Sequence, residues 1–228
     1  MLIQHVPLLS TKRIVLASAS PRRAELLRGL GLKIEIFPST FEEDLDKSLF
    51  ANPGEYAKET ATRKAHDVYQ KIQEAGSGKR ADLIIAADTV VELGSQVLEK
   101  PRDVDDARRM LSSLSGQVHK VYTGVALVTP KSSGSNSGSS PLLTSFYEGT
   151  EVEFAELEEQ SILAYIASEE PMDKAGAYGI QVLCGSGSVG KEWRHYSLEE
   201  FFIGNASVRL FNCFKPGKHE LVVYLRTR

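Results

Sequence analysis

Leu16-Ala17-Ser18-Ala19-Ser20-Pro21-Arg22-Arg23-Ala24-Glu25-Leu26-Leu27 is the stretch from which the architecture of this chain is read. A short apolar run, Ile14 to Ala17, reads as a strand and gives way to small hydroxyl residues. Pro21 then stands at the first position of a helix with Ser20 as its N-cap, and Leu26, Leu27, Leu30 and Leu32 supply the apolar face. A strand, a tight loop and a helix start in this order bring free backbone N–H groups, two hydroxyls and two guanidinium groups to the positive end of a helix dipole. That combination suits an anion with several oxygens, most simply a phosphate. Two plainer readings stand beside it: a surface helix start with solvated arginines, and a proline-directed kinase motif in Ser20-Pro21-Arg22-Arg23.

Size and composition bound what the rest can be. At 228 residues, with 42% hydrophobic and 25% charged residues, the chain can bury a full core as one domain or as two lobes around one sheet. A net charge of −3 gives no broad field for nucleic acid or for an anionic membrane, so a basic site has to be local. The two cysteines, Cys184 and Cys213, form no disulfide framework, and a reducing compartment follows. No apolar run reaches membrane-spanning length and Met1 to Leu9 has no secretory pattern, so the expected location is cytoplasmic.

Along the chain, Lys33 to Pro38 reads as a second strand, and Thr40 to Asp46 as a loop rich in carboxylates, either solvated surface or a ligand source for a hard divalent cation. Pro53 opens a helix to about Glu74 whose stripe includes Tyr56, Ala57, Thr60, Ala61, Ala65 and Val68, with Lys64 at its edge, snorkelling to water or turned into a cleft. Ala81 to Val91 is a continuous apolar run, expected as a buried central strand with Asp88 and Thr89 at its carboxyl end, where open α/β sheets place their ligands. A carboxylate there needs a partner, a hydrogen bond or a cation, unless it only caps the next turn. After the Gly94-Ser95 turn, Lys100 emerges, Asp103 caps a helix ending at Ser115-Gly116, and Val118 to Val128 is a strand whose His119 reads as hydrogen-bonded structure rather than a ligand. Residues 130–141 read as a flexible loop between paired strands, Leu143 to Ala155 as the second of these, and Glu158 to Ser168 as a helix.

A second unusual stretch, Glu170-Pro171-Met172-Asp173-Lys174-Ala175-Gly176-Ala177-Tyr178-Gly179-Ile180-Gln181, adds a carboxylate, an ammonium and glycines that permit close backbone approach. Together with Leu16 to Arg23, Ala86-Ala87-Asp88-Thr89-Val90-Val91 and Leu98-Glu99-Lys100-Pro101, it resembles the Maf family of nucleoside triphosphate pyrophosphatases; Leu114-Ser115-Gly116 and Thr123-Gly124-Val125-Ala126 resemble it too. The resemblance is nearest to the Maf-like part of eukaryotic acetylserotonin O-methyltransferase-like proteins. It implies an α/β fold, a twisted mixed sheet with flanking helices in two lobes around a cleft, like the inosine triphosphate pyrophosphatase fold. The domain expected from it runs over residues 13–182, after an N-terminal extension of residues 1–12.

The resemblance also implies hydrolysis of a nucleoside triphosphate to the monophosphate and pyrophosphate, with a divalent cation, Mg²⁺ or Mn²⁺, as cofactor. Matched by position, Asp88, Lys64 and Lys100 are its catalytic residues, and Ser18, Ser20, Arg22, Arg23, Thr89, Lys174 and Gln181 its substrate contacts. Glu42, Asp88 and Asp173 are its metal ligands, Asp88 serving either as proton acceptor or as ligand. Arg22, Thr89 and Gln181 match the branch acting on dTTP and UTP. The expected partner is thus a small nucleotide, with no nucleic acid and no membrane, and with a homodimer as the candidate assembly.

After Gln181 the likeness stops, and residues 183–228 read as a divergent tail packed less well than the body, with no evident continuation of the sheet and no catalytic group. Gly185-Ser-Gly-Ser-Val-Gly190-Lys191-Glu192 nearly spells a P-loop but has Glu192 where that loop needs Ser or Thr. Two alternatives to an active pyrophosphatase therefore remain: a catalytically impaired nucleotide-binding or regulatory protein, and a P-loop phosphotransferase.

Overall fold

The computed structural model describes residues 5–75, 80–129 and 141–179, together with the backbone of Val223–Leu225. The elements are α1 (Val6–Leu9), β1 (Ile14–Leu16), α2 (Pro21–Gly29), β2 (Ile34–Ile36), α3 (Pro53–Glu74), β3 (Leu83–Leu93), β4 (Gln96–Leu98), α4 (Val104–Leu114), β5 (Val118–Thr129), β6 (Leu142–Phe154), α5 (Glu159–Ala167) and β7 (Val223–Leu225). Among the described residues the strands form one mixed sheet in the order β2-β1-β3-β5-β6-β7, with β4 also paired to β3. β1 is parallel to β2 and to β3. This is the α/β class expected from the sequence. No helix among the described residues is long and apolar enough to cross a membrane.

The chain divides into two compact units. The first holds the residues up to Asp88 and Thr123–Glu148, the second Thr89–Tyr122 and the described residues from Gly149 onward.

In the first unit, strand alternation decides what packs where. Successive side chains of a strand point to opposite faces. Val15 of β1 and Ala17 just after it, with Ile84 and Ala86 of β3, therefore pack on Ala61, Ala65 and Val68 of α3. Ile14, Leu16 and Ile85 take the other face and pack on Ala24 and Leu27 of α2. β1 is buried on both faces, as an apolar strand without alternation has to be. α3 starts where the sequence places it: Asn52 caps the helix by accepting a hydrogen bond from the Glu55 N–H at 3.0 Å, and Pro53 follows at the first helical position.

In the second unit, α4 and α5 cover a separate core of Val91, Leu98, Met110, Leu111, Leu114, Val152, Phe154, Ile162 and Ile166. Asp103 caps α4 by accepting from the Asp106 N–H at 2.8 Å, as its position before the apolar stripe predicts.

Two sequence expectations are corrected. Asp88 and Thr89 do not end their strand. β3 continues to Leu93, because Val90 and Val91 are also buried and because Gly94, at φ +60°, turns the chain into β4, which pairs back on residues 91–93. The tail does contribute to the sheet: Val223–Leu225 pairs antiparallel with Val152–Phe154. The remainder of the tail and nearly all of the 130–141 loop lie outside the described residues.

The α3–β5 contact is tight enough to test. A Cβ placed on Gly124 would lie 2.3 Å from the backbone of Ala57 and Lys58. Backbone cannot rotate away as a side chain can, so Gly124→Ala should cost at least the ~1–3 kcal/mol typical of overpacking. Urea denaturation measures it, and a loss below about 1 kcal/mol would mean that α3 can move off the sheet without penalty.

Candidate active site

The loop between β1 and α2 is built on Ser18. Its hydroxyl oxygen accepts from the Ser20 backbone N–H at 3.3 Å and from Arg23 Nη1 at 3.2 Å. The same Arg23 nitrogen donates to the Ala87 carbonyl at 2.8 Å, tying the start of α2 to β3. Ser20 occupies the N-cap position in extended backbone, φ −65° and ψ 115°, followed by Pro21, as read from the sequence. Its side chain makes no capping hydrogen bond, so the cap is one of position only. Ser18 instead organises the turn, from two residues further back. Arg22 is half-buried beside it.

The parity of β3 sets the other half. Ile84 and Ala86 face α3, so Asp88, two residues on, faces α3 as well. β1 pairs with β3 only as far as Leu16 and Ile85, and the Ala17 N–H makes the last bond, to the Ile85 carbonyl at 2.8 Å. Asp88 thus lies where β3 outruns its parallel neighbour, past the carboxyl end of β1 rather than at the end of β3 itself.

Lys64 of α3 meets Asp88 there. Its Nζ lies 2.8 Å from Asp88 Oδ1 and 2.8 Å from a carboxylate oxygen of Glu43. Lys64 is 8% exposed and Asp88 6%, so the ammonium is turned inward, not snorkelling. Burial pushes the Asp88 carboxyl above the ordinary carboxylate range. Lys64 and Arg23 pull it back and Glu43 adds to the rise. Burial likewise lowers the Arg23 guanidinium from its usual value, while Asp88 and Glu43 support its charge and Arg22 opposes it.

Glu43, which the sequence reading passed over in favour of Glu42, is therefore the acidic-loop residue held at this pair. Glu42 is exposed. The loop is anchored at its start, where Asp67 of α3 accepts from the Ser39 hydroxyl at 2.7 Å and from the Thr40 N–H at 2.9 Å. Two adjacent glutamates in a loop carry no periodicity, so nothing in the sequence says which of them faces α3.

In the second unit, Lys174 is 8% exposed. Its ammonium donates to Asp173 Oδ1 at 2.6 Å, to the Glu170 carboxylate at 2.9 Å and to the Glu170 carbonyl. An ammonium has three donors, and here all three are used locally. Asp173 and Lys100 are exposed and Thr89 is half-buried; Gln181 lies outside the described residues. Glu170 and Tyr165 carry no site signal in the sequence, and both act on this segment. Tyr165 donates to the Glu170 carboxylate and accepts from the Gly179 N–H at 3.0 Å. His119 is hydrogen-bonded structure, as expected, with Nε2 2.7 Å from the Tyr178 hydroxyl.

Among the described residues no group of three or more His, Cys, Asp or Glu side chains converges as a ready-made metal cage. Two carboxylates, Asp88 and Glu43, do converge on Lys64. Mg²⁺ is commonly held by one or two carboxylates with phosphate oxygens completing its shell, so this donor set fits a cation that arrives with a phosphorylated ligand.

Comparison with known proteins adds the following. A family profile described as Maf-like protein matches residues 13–192, past Gln181 where the sequence reading ended the likeness. The chain is 50% identical over 174 residues to a human protein named probable bifunctional dTTP/UTP pyrophosphatase/methyltransferase protein, a match covering 76% of this chain and 28% of that one. It spans less than a third of that relative's length. It is 47% identical over 169 residues to a dTTP/UTP pyrophosphatase of Acetivibrio thermocellus, covering 74% of this chain and 79% of that protein. Against a nucleoside triphosphate pyrophosphatase of Dictyostelium discoideum it is 40% identical over 181 residues, covering 79% and 81%.

The buried pair predicts its own pH signature. Lys64→Met removes the cation and strands Asp88, a change that should cost about 3–5 kcal/mol at pH 7.5. Without Lys64 the folded-state pKa of Asp88 rises further above its unfolded value. Protonation then relieves the penalty, so the variant's deficit should shrink as pH falls toward 4 and grow as it rises. Urea titrations of both proteins at several pH values read this directly. A deficit independent of pH would mean that Asp88 is not stranded.

Proposed function

The chain belongs to the Maf-like family, and from that membership and the buried Lys64–Asp88 pair we propose that it hydrolyses nucleoside triphosphates, dTTP and UTP foremost, to the monophosphate and pyrophosphate. The observation that carries the proposal is the Asp88 carboxylate, buried where β1 ends and held by Lys64 at 2.8 Å. A purely structural ion pair needs neither this position nor the guanidinium-bearing helix start next to it.

The residues divide the work as follows. Ser18, Ser20, Arg22 and Arg23, with the N-terminus of α2, receive phosphate oxygens; the helix dipole and the guanidinium groups favour negative charge there. Asp88 takes the proton of the attacking water. Its Oδ1 is engaged by Lys64, which leaves Oδ2 to accept. A raised pKa suits this task, because a base is most effective when its pKa approaches the working pH. Lys64 orients the carboxylate and offsets the charge that builds up on the phosphate chain.

Formal charges explain why a cation is wanted. Arg22, Arg23 and Lys64 against Asp88 and Glu43 leave a small positive excess, far short of the roughly four negative charges of a triphosphate. Glu43 would hold Mg²⁺ or Mn²⁺, with Glu42 next in the same loop, and Asp88 would be a ligand only in place of its role as base; the bound cation would neutralise phosphate charge. From the second unit, Thr89, Lys100, Lys174 and Gln181 are proposed as further substrate contacts and Asp173 as a further ligand, on the resemblance. Lys174 has to exchange one of its present partners to serve. A chain with two cysteines and a nucleotide substrate is placed in the cytoplasm, acting alone or as a homodimer.

The test is product analysis with dTTP and UTP in Mg²⁺. Pyrophosphate with the monophosphate is the expected outcome; orthophosphate would overturn the reading in favour of γ-phosphate chemistry. Asp88→Asn should lower turnover by ~10²–10⁴, the usual worth of general base assistance, and retain most nucleotide binding. A variant turning over at the wild-type rate would remove Asp88 from the mechanism.

A further inference from the structure

The segment from Glu169 to Gly179 is held in a backbone that its sequence does not favour. Glu169 at φ 59° and Ala177 at φ 60° are non-glycine residues in the left-handed region, and Gly176 lies there at φ 70°. Such conformations persist only where surrounding contacts over-determine them. The contacts here are identifiable. The Gly176 N–H donates to the Glu99 carbonyl at 3.0 Å, and a Cβ on Gly176 would lie 2.9 Å from Val91. Gly179 is held by Tyr165, and Lys174 by Glu170 and Asp173. The residue directly after the strained Ala177 is Tyr178, buried, with its hydroxyl 2.7 Å from His119 Nε2.

His119 is an unusual choice for that place. It is 2% exposed and stands edge-on to both Phe154, at 4.9 Å between ring centres, and Tyr178, at 5.5 Å. A phenylalanine would fill the same space between the rings. Among the described residues its second nitrogen, Nδ1, makes no hydrogen bond of good geometry, which is a cost to stability. Burial holds the imidazole neutral, its pKa lowered to about 4, with only a partial offset from the Gln117 backbone. Burial also keeps the Tyr178 hydroxyl protonated, far above its ordinary range. An imidazole retained at this cost is explained by what its other nitrogen does, namely fix the Tyr178 hydroxyl.

We propose that His119 is a positioning residue for substrate binding: through its hydrogen bond to Tyr178 it locks the strained 173–179 segment that presents Asp173 and Lys174. The inference rests on the pyrophosphatase reading for its effect on catalysis, and on geometry alone for its effect on the loop.

The experiment compares His119→Phe, Tyr178→Phe and His119→Gln with the wild type by steady-state kinetics on dTTP and by hydrogen exchange of the 170–179 segment. The two phenylalanine variants keep the ring packing. Each should raise KM about tenfold, the worth of one buried hydrogen bond, with kcat little changed. Both should speed exchange at 173–179 while leaving the cores of the two units protected. His119→Gln, whose amide nitrogen sits near the place of Nε2, should recover part of the KM. A merely structural role would lower thermal stability and the active fraction, hence apparent kcat, at unchanged KM. Unchanged KM or unchanged exchange in correctly folded variants overturns the proposal. Should the wild type release no pyrophosphate, the reaction assigned above fails, and the exchange comparison still decides whether His119 locks the loop.

Discussion

A carboxylate buried beside an ammonium, Asp88 against Lys64 at 2.8 Å, is the contact around which the first unit is arranged. Leaving water costs each ion several kcal/mol, and their attraction returns that only in good geometry. Three elements are needed to supply it. β3 carries Asp88 on the face that Ile84 and Ala86 turn toward α3. α3 comes close enough to present Lys64 because its inner stripe is small, Ala57, Ala61 and Ala65, and because β5 opposes it with Gly124. β1 stops short, so that its pairing with β3 ends before Asp88. A larger residue in the stripe or a longer β1 would leave the same two residues as an inert ion pair or pull them apart.

The second unit shows the same trade between stability and geometry. Its core of Leu98, Met110, Leu111, Leu114, Phe154 and Ile162 is ordinary apolar packing. Next to it are a strained loop, a buried imidazole with an unmatched nitrogen and an ammonium whose donors are all engaged. Each lowers stability relative to an apolar filling of the same volume, and such departures gather where function constrains the chain.

Much of the fold was legible in the sequence because it is written in local terms. Proline at a first helical position marked α2 and α3, and Asp103 marked α4. The apolar run from Ala81 announced a buried strand, and two-residue parity then sends Asp88 to the same face as Ala86. What could not be read depends on partners distant in sequence. Glu43 rather than Glu42 reaches Lys64 because Asp67 fixes where the acidic loop begins. Tyr165, Glu170 and His119 acquire their roles from a loop whose backbone no pattern predicts. The end of β3 was misplaced because the charge of Asp88 looked like a terminus, whereas Lys64 satisfies it and the strand runs on.

Burial outweighs the attraction of Lys64 and leaves Asp88 a better base than a solvated aspartate. Titration of the protein with ¹³C-labelled aspartate carboxyl groups, with the Asp88 resonance assigned by its loss in Asp88→Asn, measures this at the atom concerned. The predicted result is an Asp88 pKa above the ordinary carboxylate range in the nucleotide-free protein. A value at or below that range would contradict it, for Lys64 would then be holding a permanently charged, weakly basic carboxylate.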